Sequence, residues 1–347
     1  MWPKTKKISI SAAINVAISL RCAEGEKIDM VNAALRQPGT IFIIPVIVCL
    51  VSSYLYKNDI PLISQARALD HSPTSKMDTT DEFRRNTDLT NKTQLSCPSQ
   101  NKRTGIILVI GQSNSANYGE LYTTIANQSA VFNYWNGACY DALPPLLGAS
   151  GNGGSFAPLL ASKLISDGVY DKVVIVSSGI GGTNVARWGA GGDLHAMLRG
   201  VLRNLAKDYA ITDVIWHQGE ADFIRNTSSA EYQGQFRSLV AMIREHSPNA
   251  VDIYIAIASR CHASSKNPWR PDNATTEAQM SLVAAGVAFL GVDSDELISD
   301  DRRLSDKCHL NLAGEDALAN AYAEAIRNKK QKTSPTEGDD ISRRRGD

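Results

Sequence analysis

Residues 105–115 read GIILVIGQSNS. A short, unbroken aliphatic run of this kind predicts a strand buried on both faces, as in a parallel sheet, rather than an alternating strand with one wet face. Four further runs share its character: 172–178 (KVVIVSS), 212–217 (TDVIWH), 251–259 (VDIYIAIAS) and 287–292 (VAFLGV). Helical patterns separate them, over 156–167, 194–209, 230–246, 275–285 and 312–328. In the first of these Leu159, Leu160, Leu164 and Ile165 form one apolar stripe. Strands alternating with helices predict one α/β domain over about residues 104–329, with a five-stranded parallel sheet between helical layers. Ligands of such sheets bind at the carboxyl ends of the strands. The chemistry is therefore sought where the apolar runs stop.

Composition narrows the choice of partner. The 347 residues are 43% hydrophobic and 21% charged, and Lys+Arg and Asp+Glu both number 36. A balanced chain without a basic-aromatic module lacks the footprint of a nucleic-acid binder. Cysteines number six, of which Cys97, Cys139, Cys261 and Cys308 follow residue 56. An even number permits disulfides without fixing their pairing. No CxxC or HExxH run suggests zinc, and no cofactor is expected. Asn91, Asn127, Asn226 and Asn273 open N-x-[ST] sequons, which matter only in a eukaryotic secretory host.

The flanks differ from this core. Residues 40–56 (TIFIIPVIVCLVSSYLY) carry no charge, at the short end of the roughly 17–25 residues that span a bilayer. Arg36, Lys27, Arg21, Lys7, Lys6 and Lys4 put the basic excess on the N-terminal side, which favours that side inside. The expectation is an uncleaved signal anchor, with residues 1–39 cytoplasmic (Met30 being an alternative start) and the main domain extracytoplasmic. Cleavage, for which Ala66-Arg67-Ala68 offers a distant site, would release it. Residues 57–103 are polar and read as a linker. Residues 330–347 read as a disordered charged tail.

Each strand end carries candidate chemistry. After the first comes Ser113, at a glycine-bearing turn that can expose a hydroxyl over the sheet edge; alternatively it caps a following helix. After the second, 178–184 (SGIGGTN) supplies glycines whose N–H groups can approach a substrate. After the third comes 216–222 (WHQGEAD), in which Gln218 could donate to an oxyanion or satisfy a loop carbonyl. His217 and Glu220 read as structural. Asp306-Lys307-Cys308-His309 precedes the last helix, with spacing that lets a carboxylate orient an imidazole base.

Taken in order, GQSN, GGT, WHQGEAD and DKCH resemble the blocks of the SGNH-hydrolase superfamily, and are most similar to its sialate O-acetylesterase and acetylxylan esterase branch. The resemblance spans residues 104–329 and implies a three-layer flavodoxin-like sandwich with strand order 2-1-3-4-5. It implies Ser113 as nucleophile, His309 as base and Asp306 as its orienter. The implied oxyanion hole is the N–H of Ser113, a glycine N–H of Gly181 or Gly182, and the Gln218 side chain. The implied activity is removal of O-acetyl groups from a carbohydrate without a cofactor. An acyltransferase, an esterase of other acyl esters and a non-catalytic glycan-binding module are the alternatives. Asn114, Trp135, Tyr140, Arg187 and Trp188 are candidate substrate contacts. For Tyr134, Trp135 and Tyr140, packing of a long loop is an equal alternative. Cys261 and Cys308 follow strand ends on one edge and could pair beside His309, or remain buried thiols.

Overall fold

The computed structural model describes residues 81–247, 249–261 and 268–333. Residues 1–80, including the expected membrane segment at 40–56, lie outside them. Among the described residues no helix is long and apolar enough to cross a membrane.

The five expected strands form as β2 (Thr104–Gly111), β5 (Lys172–Ser177), β6 (Asp213–His217), β7 (Asp252–Ile257) and β8 (Phe289–Asp293). Three more join them: β1 (Gln94–Leu95), β3 (Val131–Trp135) and β4 (Ala138–Asp141). The sheet order is β1-β4-β3-β5-β2-β6-β7-β8. Within it β5-β2-β6-β7-β8 is the expected 2-1-3-4-5 arrangement. The sheet is wider than expected, because β3 adds a sixth parallel strand beside β5 and β4 and β1 continue antiparallel.

Every residue of β2 is buried, which explains its lack of alternation. The two faces still separate by parity. Ile106, Leu108 and Ile110 pack into one core with Val174, Val176, Val214 and Trp216. That core is covered by α2 (Asp193–Leu205), α4 (Ser229–Glu245) and α5 (Ala274–Ala284). Ile107 and Val109 belong to the opposite core, beneath α1 (Phe156–Ser166) and α7 (Leu312–Thr333). Two short helices, α3 (Glu220–Arg225) and α6 (Ser294–Leu297), follow β6 and β8.

Both expected flanks need correction. The 81–103 part of the linker is not a free stalk. Asn86 is buried and its backbone pairs with Ala149 and Gly148, Arg84 donates to the Gly181 carbonyl, and Cys97 is bonded to Cys139. A polar segment is held here by point attachments, which leave no apolar periodicity. At the other end α7 continues through residues 330–333, the first part of the expected tail.

Candidate active site

β2 delivers its last residue to the sheet edge at Gly111. With φ +131° and a notional Cβ only 2.1 Å from the His217 carbonyl oxygen, this position accepts glycine alone. Gln112 N–H then donates to that same carbonyl, and the chain makes one 3-10 turn, Ser113–Ser115. Ser113 therefore does not cap a long helix: the next α-helix begins at Phe156, and its cap is Ser155. The Ser113 N–H donates to no protein acceptor among the described residues.

The base loop lies between α6 and α7. His309 Nδ1 is 2.6 Å from Asp306 Oδ2, while Asp306 Oδ1 accepts from the N–H groups of Cys308 (2.9 Å) and His309 (3.0 Å). Partial burial alone would raise the Asp306 carboxyl. The two amides and the imidazole outweigh it and hold the group below its usual range. With Nδ1–H donated to the carboxylate, Nε2 is the free acceptor. The imidazole keeps 23% of its side-chain exposure, so a substrate can reach it.

Asn114 joins this loop to the serine turn, and two further ties hold the loop itself. Asn114 Nδ2 donates to Glu220 Oε1 (2.8 Å) and contacts the Cys308 carbonyl (3.4 Å). Arg303 Nη1 donates to the same carbonyl at 2.7 Å. Cys308 is disulfide-bonded to Cys261, beyond the end of β7. Ser113 Oγ itself makes no hydrogen bond to His309 among the described residues.

The expected oxyanion donors divide. Gly182 has φ +72°, is exposed, and its N–H donates to no protein acceptor among the described residues. Gly181 N–H is already given to Ser150 Oγ at 2.8 Å. Gln218 is fully buried, and its amide nitrogen faces Thr183 O (3.0 Å), Asp222 Oδ2 (2.5 Å) and Gln112 Oε1 (3.3 Å). Two amide protons cannot serve three acceptors and an oxyanion as well. In this arrangement Gln218 braces the loops instead of lining the site, a correction to its expected role.

Of the expected substrate contacts, Trp188 and Asn114 are taken up inside the fold, while Arg187, Tyr140 and Trp135 keep partial exposure. Trp188 is fully buried, its indole N–H on Thr183 Oγ1. Arg187 is paired with Asp193 at 2.5 and 3.0 Å. Asn114 is 8% exposed and spends its amide on Glu220 and Cys308. Tyr140 belongs to β4, opposite Asn133 and Gln94. The Trp135 ring lies against Gly148 with the Arg85 guanidinium 4.9 Å from its centroid, and the Tyr134 hydroxyl donates to Asp208. These aromatics pack the sheet extension.

His217 and Glu220 approach within 3.9 Å because the chain turns into α3 between them. Both are sealed from solvent, and burial, then the nearby Arg303 charge, push the His217 imidazole down to about 3. It is neutral at physiological pH and remains structural. Tyr118, Ser150, Arg84 and Arg303 are neighbours of the site that no motif announced. Among the described residues no cluster of His, Cys, Asp or Glu is arranged to hold a metal.

Comparison with known proteins bears on the fold, and a family model gives the family. A protein of Arabidopsis thaliana, 18% identical, covers 66% of this chain and 99% of its own with a TM-score of 0.52. NanS, 16% identical, covers 68% and 100% with a TM-score of 0.46. Est24, a carbohydrate acetylesterase from Sinorhizobium meliloti, is 12% identical over 66% and 100% with a TM-score of 0.42. A 49-residue stretch is 45% identical to the mitochondrial protoheme IX farnesyltransferase of Yarrowia lipolytica, but spans only 14% of this chain and 10% of that protein. The family model for carbohydrate esterase, sialic acid-specific acetylesterase, matches residues 103–328, the whole sheet from β2 to β8 with its helices. The chain therefore belongs to the sialic acid-specific acetylesterase family of carbohydrate esterases and is a carboxylic ester hydrolase.

Proposed function

We propose that Ser113, His309 and Asp306 form a catalytic triad that removes acetyl groups from a carbohydrate ester. The observation that carries this reading is the 2.6 Å contact between His309 Nδ1 and a carboxylate held ionised by two backbone amides. That arrangement fixes the tautomer and stabilises the imidazolium formed when Nε2 takes a proton.

Ser113 Oγ attacks the ester carbonyl as its proton passes to His309 Nε2. The oxyanion is received by the free N–H groups of Ser113 and Gly182, which follow the ends of the adjacent strands β2 and β5. Collapse expels the sugar alkoxide, which takes the proton back from His309 and leaves an acetyl-serine. Water, deprotonated by the same imidazole, releases acetate and restores the serine. No step calls on a metal or organic cofactor.

The domain is read as extracytoplasmic and tethered through residues 40–56. The disulfides Cys97–Cys139 and Cys261–Cys308 support an oxidising compartment. Ser113→Ala tests the chemistry. It should abolish hydrolysis of p-nitrophenyl acetate and labelling by a fluorophosphonate, with the circular dichroism and melting curve of the wild type. Unchanged turnover in that variant would refute the triad.

A further inference from the structure

We propose that Asn114 is a positioning residue that sets the spacing of nucleophile and base, with Glu220 as its anchor, an inference that rests on the triad reading above. Ser113 and His309 sit on different elements, the turn after β2 and the loop between α6 and α7. Ser113 Oγ makes no hydrogen bond to His309 among the described residues. Their spacing is therefore set by the groups beside them.

The turn is gripped on both sides of the serine. Before it, Gln112 Oε1 accepts from the N–H groups of Ala221 (3.1 Å) and Gly219 (3.4 Å), at the start of α3. After it, Asn114 Nδ2 donates at 2.8 Å to Oε1 of Glu220, in the first turn of the same helix. Residues 112–114 and 219–221 thus close a hydrogen-bonded ring around the serine backbone. Gln112, Asn114 and Glu220 are all buried, so water competes little for these bonds.

Asn114 also carries the grip across to the base. A primary amide has two N–H bonds, and Asn114 Nδ2 meets the Cys308 carbonyl at 3.4 Å, 194 positions away in the chain. The contact joins the residue after Ser113 to the residue before His309. Arg303 Nη1 takes the same carbonyl at 2.7 Å, and the Leu304 N–H donates to the His309 carbonyl at 2.8 Å. The base loop is held by bonds of its own, and Asn114 sets where it lies against Ser113.

Glu220 is free for the anchoring task. His309 Nδ1 is occupied by Asp306, and His217 Nε2 stands 3.9 Å from Glu220 Oε1, beyond hydrogen-bond reach. A carboxylate accepts from an amide more strongly than a neutral oxygen does. Its charge faces Arg303, whose guanidinium is disfavoured by burial and favoured by Glu220. Glu220 and Arg303 therefore address the two ends of the Asn114–Cys308 contact.

Hydrolysis of p-nitrophenyl acetate at pH 8 and 25 °C, expressed per molecule titrated to completion with a fluorophosphonate, tests the clamp. Asn114→Ala and Glu220→Ala are expected to lower kcat roughly 30- to 100-fold with KM within about threefold, the signature of a displaced reacting group. Glu220→Gln keeps an oxygen for the Asn114 amide and should recover kcat to within about fivefold of wild type. The isosteric Asn114→Asp has no N–H to give and should recover nothing. The double variant Asn114→Ala/Glu220→Ala should lose no more than the worse single one, because each breaks the same link. The downfield proton resonance of His309 Nδ1–H persists in every variant, since its bond to Asp306 lies within the loop. A kcat within about threefold of wild type in both Asn114 variants overturns the proposal, as does a fully additive loss in the double variant. Disappearance of the Nδ1–H resonance together with kcat also overturns it, by assigning the loss to collapse of the base loop. Turnover that survives in Ser113→Ala refutes the triad and the clamp with it. A dead Ser113→Ala beside fully active Asn114 variants refutes the clamp alone.

Discussion

The Tyr118 ring lies stacked on the His309 imidazole, with centroids 5.2 Å apart and planes inclined by 21°. Its far end reaches the glycine loop: a Cβ on Gly181 would stand 2.5 Å from the Tyr118 hydroxyl. One aromatic side chain thus spans the base and the loop that offers Gly182. Misplacing a catalytic group by about 1 Å can cost on the order of 100-fold in rate. Tyr118→Ala is therefore expected to lower kcat on p-nitrophenyl acetate by roughly 10- to 100-fold, while Tyr118→Phe keeps the stack and stays within about threefold. Equal losses in the two variants would assign the effect to the hydroxyl and not to the stacking.

Glu315, in the first turn of α7, has both carboxyl oxygens buried and without hydrogen bonds. Its carboxyl fits only because Gly119 and Gly154 lack a Cβ, which at Gly119 would come within 2.1 Å of Oε1. Burial, then the Glu120 carboxylate, raise it from 4.5 to about 9; Tyr122 is the other titratable group facing it. Between those values the native state binds more protons than the unfolded one. This contribution to stability is complete below pH 4.5 and is lost as pH rises toward 9. Glu315→Gln removes the titration. Urea unfolding should show little change at pH 4.5 and a gain of about 2–4 kcal/mol at pH 8. A difference independent of pH would rule out the buried carboxyl as its source.

The two disulfides close loops of similar length, with separations of 42 and 47 residues. Chain entropy assigns each about 4 kcal/mol as an upper figure. Their effects on activity should differ. Cys97–Cys139 ties the 81–103 segment to β4, whereas Cys308 immediately precedes His309. Replacing Cys261 and Cys308 together by serine is expected to lower both melting temperature and kcat. The same exchange at Cys97 and Cys139 should lower the melting temperature alone. Turnover at 25 °C, where both variants remain folded, separates the two; a kcat loss of equal size in each would contradict a special role for the bond beside the base.

The five central strands were legible because strands buried on both faces must be continuously apolar, as 105–111 and 172–178 are. The Asp306–His309 contact was legible because its geometry is local, three residues on one turn. The β3–β4 hairpin was missed although Asn136-Gly137, with φ values of 50° and 84°, marks a two-residue primed turn. The segment mixes aromatics and asparagine around a glycine turn, and that composition suggested a loop. The fixing of residues 81–103 had no periodic signal at all, because a disulfide and single hydrogen bonds leave none. Tyr118 meets His309 across a long sequence separation, which spacing cannot reveal.

Gln218 is where motif and geometry part. Its amide lies on Asp222 and Thr183, and burial raises the Asp222 carboxyl despite hydrogen bonds from Thr227, Gln218 and Val185. Removing the amide leaves a buried carboxyl and a carbonyl short of donors, a loss of about 2–4 kcal/mol in stability. Gln218→Ala should therefore melt well below the wild type. Its kcat per folded molecule, titrated with a fluorophosphonate, should fall by less than about tenfold. An oxyanion donor behaves in the opposite way, since its loss costs on the order of 100- to 1,000-fold in kcat with little change in stability. Gln218→Glu sets a second carboxyl against Asp222 and should be the more unstable of the two at pH 8, with the gap narrowing as the pair protonates at acid pH. Thermal melts of both variants across that range, with active-site titration at each point, decide whether this side chain braces the site or receives charge within it.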